Sequence, residues 1–206
     1  MIFEKYIFHV EDSNTYFKRQ MNGLRDPSLQ DFQFLSYSPL LKKECQHEKA
    51  KKEYVNSYMA AAKILAQESR GYNSDGLFII KSYSLALPCI FLCRQALELS
   101  IKGAITQLDG KYNAIHSLLA LWDKFIDCFC EKATSSKDER LLSDMRMFID
   151  LISEFDNDNA TKLRYSEDKS GKLSQSEAIF VNLEKITETT ELFIKQMESI
   201  TGINSI

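Results

Sequence analysis

The chain has 206 residues, enough for one domain with a substantial core, and no Pro/Gly/Ser-rich linker divides it. Its 26 Lys and Arg against 29 Asp and Glu leave a formal net charge of −3, so no global positive field draws it onto nucleic acid and any RNA contact must be local. The longest apolar run, Leu85 to Cys93, is far shorter than the roughly 20 residues needed to span a bilayer and is interrupted by Pro88, which excludes a membrane protein. The opening MIFEKYIFHVED has one Lys and no small-residue cleavage site, so the cytoplasm is the expected compartment.

Only three prolines and seven glycines, with few alternating polar and apolar stretches, predict an all-α fold. Residues 1–37 stand apart: Tyr6, Phe8, Tyr16, Phe17, Phe32, Phe34 and Tyr37 are scattered among polar residues, with a turn at Arg25-Asp26-Pro27. They read as a strand, a short helix or a partner-binding arm, and residues 38–206 as the helical domain. Ser38-Pro39 pairs a cap with a first-turn proline and opens a helix running to about Ser69, before Arg70-Gly71. Its early part, KKECQHEKAKKEY, alternates charge and reads as a solvated face rather than an RNA-binding one.

Asn73-Ser74-Asp75 caps a second helix from Gly76 to about Leu108, ended by Asp109-Gly110, with Pro88 kinking or dividing it. A third helix is expected from about Ala114 to Lys132, folded back antiparallel on the second by a short turn. A fourth follows from Ser136 to about Phe155, capped within Ser135-Ser136-Lys137-Asp138-Glu139, and a fifth from Ser174 to about Ser199. Between these two lies the polar stretch DNDNATKLRYSEDKSGK, and loops of that length more often carry function than not.

The second helix is the informative one. At 100° per residue Ile90, Leu97, Ile101, Ala104 and Leu108 share a stripe that Leu87, Phe91 and Ile105 widen, and Arg94 projects into it. A lone buried charge costs several kcal/mol, so Arg94 must find a partner. Glu98 and Lys102 follow at four-residue steps, either as a helix-stabilising ion ladder or as a polar cluster at a helix contact. His116 opens the third helix and is placed to share that site, either as a capping or core residue or as an acid/base group. Cutting RNA needs such a group to move the ribose 2′-hydroxyl proton, and a cation such as Arg94 to balance charge on phosphate.

Metal readings fare poorly. Among the five cysteines, Cys89 and Cys93 could present two thiolates on one helix face, but Cys128 and Cys130 point about 200° apart, so all four read as small hydrophobes rather than a zinc site. Asp156, Asp158 and Glu167 have the ends of a calcium loop, yet Ala160 and Thr161 stand where an oxygen ligand and a glycine are required. Asp150, Glu154 and Asp156 could hold a divalent ion, though acids on a surface helix are usually just solvated. No P-loop, GxGxxG or Ser/His/Asp spacing occurs.

The run Phe91-Leu92-Cys93-Arg94-Gln95-Ala96-Leu97-Glu98-Leu99-Ser100-Ile101-Lys102, followed by His116-Ser117-Leu118-Leu119-Ala120-Leu121-Trp122, resembles bacterial proteins of the HEPN (higher eukaryotes and prokaryotes nucleotide-binding) superfamily. Those carry an Arg-x-Ala-Leu-Glu-Leu-x-x-Lys helix and then a His-x-Leu helix start. Leu163-Arg164-Tyr165-Ser166-Glu167-Asp168 is similar to their Arg-Tyr-Pro-x-Asp loop, with Ser166 where proline is common. The resemblance covers roughly residues 50–200.

It implies an up-and-down bundle of about five helices, often a homodimer, from bacterial defence or toxin-antitoxin systems, with RNA, a nucleotide or a protein partner such as an antitoxin. Many members are endoribonucleases needing no metal or cofactor, whose Arg-x4-6-His motif pairs across a dimer. None of His9, His47 and His116 follows an arginine at that spacing. What the resemblance implies here is therefore a composite site: Arg94 and His116 as the catalytic pair, with Glu98, Lys102, Arg164 and Tyr165 as a phosphate-binding and polar network. Other members are non-catalytic modules that bind RNA, nucleotides or proteins.

Overall fold

The structure is a computed structural model that describes residues 43–69, 78–108, 110–112, 114–130, 136–156, 161–167, 170–174 and 181–201. These hold five helices: α1 (Lys43–Glu68), α2 (Phe78–Gln107), α3 (Leu118–Phe129), α4 (Ser136–Asp156) and α5 (Leu183–Thr201). The described residues contain no strand, only an isolated bridge between Glu167 and Leu173, so the fold is all-α. The aromatic segment 1–37, the caps at Ser38-Pro39 and Asn73-Ser74-Asp75, Arg70-Gly71, Asp109 and Ser135 lie outside the described residues.

Two helix starts fall later than the sequence pattern predicts, each for a capping reason. α3 begins at Leu118 rather than Ala114 because Ser117 is extended (φ −65°, ψ 121°) and its hydroxyl accepts the Ala120 N–H, satisfying a donor the first turn would otherwise leave open. α5 begins at Leu183 rather than Ser174 because Asn182 caps it, its side-chain oxygen accepting the Lys185 N–H at 3.0 Å. Ser174 belongs to the preceding loop, donating its N–H to the Ser166 carbonyl at 2.8 Å. Pro88 does not divide α2, which stays helical from Phe78 to Gln107.

α2 is the axis of the bundle. Cys89 donates to the Ala62 carbonyl and Lys51 to Thr106, so α1 and α2 run antiparallel. Ion pairs Lys63–Glu191 and Lys52–Glu198 set α5 antiparallel to α1. α3 departs from the expected antiparallel return. The connection after Leu108 runs back along α2, so α3 starts beside Arg94 and Glu98, at His116, and ends near Gly110, at Cys128. Gly110 makes that return possible. Its N–H donates to the Ile105 carbonyl at 2.8 Å, and a Cβ there would lie 2.7 Å from Cys128 Sγ. α4 then turns back and ends with Asp156 at Arg94.

Leu97, Ile101 and Ile105 of α2, Leu121 and Phe125 of α3 and Ile149 and Ile152 of α4 are completely buried in one core. Each such side chain contributes about 1.5–3 kcal/mol by leaving water. Trp122 packs on Phe125 and Phe193, with ring centroids 5.2 and 5.7 Å away, and ties α3 to α5. The core fixes the depth of α2, and therefore the depth of Arg94.

Candidate functional site

Arg94 has no exposed surface, and three elements converge on its guanidinium. One Nη donates to Glu98 Oε2 at 2.6 Å, the other donates to the His116 backbone carbonyl, and Nε lies 2.5 Å from Asp156 Oδ2. That last contact is an ion pair without hydrogen-bond alignment: neither Nε nor Oδ2 has a hydrogen-bond partner among the described residues. One side chain thus holds the middle of α2, the chain entering α3 and the last residue of α4.

Glu98 forms the second tier. Its Oε1 accepts from Lys102 Nζ at 2.7 Å and lies 2.9 Å from His116 Nδ1. Burial alone would raise the Glu98 carboxyl, but hydrogen bonds from Lys102, Arg94 and His116 outweigh it and hold it below the usual carboxylate range. An ionised carboxylate can only accept, so His116 Nδ1 carries the proton in this contact. In the neutral ring Nε2 is then the bare nitrogen. The His116 side chain is 64% exposed, whereas Lys102 is 13% exposed, with its ammonium 5.5 Å from the centre of the Tyr112 ring.

Arg94, Glu98, Lys102 and His116 are thereby brought together. Arg94, however, offers no atom to the surface, and its guanidinium is turned to Glu98, Asp156 and the His116 carbonyl. Arg164 and Tyr165 are exposed, the guanidinium lying 5.5 Å from the tyrosine ring centre. Their backbone N–H groups both donate to the Thr161 carbonyl at 3.0 Å. The neighbouring Leu163 enters the core and donates its N–H to Asp156 Oδ1 at 3.4 Å, which links this turn to the Arg94 cluster.

Asp156 as the partner of Arg94 was absent from the sequence-based site, as was Tyr112. The signal for Asp156 is the one that marked Arg94: with Ile149 and Ile152 it lies on the buried stripe of its helix, where an unpaired charge is untenable. This also answers the divalent-ion reading. Asp156 is committed to Arg94, while the exposed Asp150 pairs with Arg146 at 2.9 Å. No three His, Cys, Asp or Glu side chains converge as a metal site among the described residues. Cys89 and Cys93 are buried, Cys128 partly so, and Cys130 exposed.

The HEPN domain family model matches residues 80–199, more than half of the chain, and the protein belongs to that family. The match runs from the start of α2 into the last turn of α5 and includes every residue of the cluster. Comparison with curated proteins and with solved structures finds no match.

Proposed function

We propose that this HEPN-domain protein is a metal-independent endoribonuclease in which His116 is the acid/base group. One observation carries the reading: an exposed imidazole whose Nδ1 is fixed by the buried carboxylate of Glu98, leaving Nε2 as the bare ring nitrogen. In that geometry Nε2 removes the proton of a ribose 2′-hydroxyl, the oxygen attacks the adjacent phosphorus, and Glu98 stabilises the imidazolium that forms. The 5′-oxygen leaves as an alcohol once protonated, a step for which a homodimer would bring the His116 of a second copy. Arg94 orients Glu98 and the His116 backbone from below. Lys102 and the exposed Arg164 supply positive charge for the phosphate.

A setting in bacterial defence or a toxin-antitoxin pair, with a protein partner such as an antitoxin, follows the family resemblance. Among the described residues no helix is long and apolar enough to cross a membrane. A second reading, a non-catalytic module that holds RNA, a nucleotide or a protein, is favoured by the complete burial of Arg94, which withholds a guanidinium from phosphate.

Cleavage of total RNA by the purified chain in excess chelator separates the two. The expected result is cleavage by the native protein, reduced on the order of 10²–10⁴-fold in folded His116→Ala. Absence of cleavage by the native protein, with and without added divalent metal, refutes the nuclease and favours the binding module.

A further inference from the structure

The Arg94 cluster reaches beyond α2 and α3. Asp156 uses both carboxylate oxygens: Oδ2 faces Arg94 Nε at 2.5 Å, and Oδ1 accepts the Leu163 N–H at 3.4 Å. Both charged side chains are completely buried, so water does not screen the pair. From Leu163 the chain continues to the exposed Arg164 and Tyr165, then to a small turn closed by the Glu167–Leu173 bridge and by Ser174 N–H donating to the Ser166 carbonyl. Gly171, at φ +76°, lies in that turn, in a backbone region other residues enter only with strain. A continuous path therefore runs from the loop through Leu163, Asp156 and Arg94 to the carbonyl of His116.

We propose that Asp156 is a positioning residue that couples the loop at 161–167 to His116 through Arg94, so that whatever holds the loop in place also sets the imidazole. The coupling rests on His116 being the working group of the site. Its physical basis is a choice of partners. Arg94 must neutralise Glu98 and Asp156 at once while also donating to the His116 carbonyl. If Asp156 shifts with the loop, the guanidinium follows the charge that moves. The hydrogen bonds to Glu98 and the His116 carbonyl then lengthen, and the chain entering α3 loses its anchor. An RNA strand contacting Arg164 and Tyr165 would stabilise the loop and, through Asp156 and Arg94, the orientation of His116.

The test reads His116 directly. Ring-nitrogen resonances of His116 and the backbone amide of Ser117 are followed by ¹⁵N NMR in the full chain, without RNA. Asp156→Asn removes the charge facing Arg94 and is expected to shift both signals. Arg94→Lys is expected to shift them as well, and adding Asp156→Asn to Arg94→Lys should move them no further. Leu163→Ala, which keeps the backbone donor but loosens the seat of the loop, is expected to shift His116 in the native background and not in Arg94→Lys. Should Asp156→Asn fail to fold, Leu163→Ala and the charge-preserving Asp156→Glu carry the test, the latter expected to keep His116 near its native signals. Unmoved His116 and Ser117 signals in folded Asp156→Asn or Leu163→Ala would overturn the coupling.

Under the nuclease reading the same Asp156→Asn variant should lower kcat on the order of 10- to 100-fold with KM little changed, since a small displacement of a reacting group is costly. NMR shifts in a native protein that cuts no RNA support the coupling and refute only the nuclease. Native-like kcat in Asp156→Asn, in a protein that does cut, refutes the coupling and leaves the nuclease standing.

Discussion

Replacing Arg94 by methionine removes three pairings at once while keeping most of the side chain's length. Glu98 retains Lys102 and His116, but Asp156 is left with the Leu163 N–H at 3.4 Å alone, and the His116 carbonyl loses its guanidinium donor. Stranding one buried carboxylate costs about 3–5 kcal/mol, which is a large share of the 5–15 kcal/mol by which domains are ordinarily stable. At this chain length the loss lowers Tm by roughly 6–20 °C. Urea unfolding followed by far-UV circular dichroism at neutral pH measures it. Asp156→Leu added to Arg94→Met removes the stranded charge, so the double variant should be more stable than Arg94→Met alone. A loss below about 1 kcal/mol in Arg94→Met, or no recovery in the double variant, would refute the picture of Arg94 as the charge that holds α2, α3 and α4 together.

Further outcomes follow from single residues. Because the native Glu98 carboxyl sits below its unfolded value, the native state binds fewer protons in the acid range. Its contribution to stability is complete above about pH 4.3 and is lost as pH falls through the lower native value, so the gap in urea midpoint between the native protein and Glu98→Gln should narrow on acidification to about pH 3. Gly110→Ala would place a Cβ 2.7 Å from Ile105 Cγ2 and 2.9 Å from the Ile105 carbonyl oxygen, and is expected to cost about 1–3 kcal/mol in thermal melts. Gly103→Ala meets nothing within 4 Å inside a helix and should stabilise the protein by roughly 0.5–1 kcal/mol in the same assay. Ser117→Ala removes the cap of α3 next to His116 and should lower stability by about 1 kcal/mol.

The helices were legible in the sequence because their signals are local. Apolar spacing marked the buried stripe of α2, and the four-residue steps from Arg94 to Glu98 to Lys102 dictated a ladder whatever the rest of the chain did. The position of Arg94 within that stripe also required a buried partner. A single charge on a helix does not say which distant acid answers it, so Asp156, far along the chain at the end of α4, emerged only once α4 packed against α2. The sense of α3 was likewise hidden. Proximity of His116 to the ladder fits a short antiparallel turn and a longer return equally well, and the close approach of Gly110 to Cys128 decided for the return. Tertiary packing also set the roles within the cluster. The core depth of α2 buries Arg94 completely and leaves His116 at the surface, because the stripe lies under the guanidinium while α3 begins at the rim.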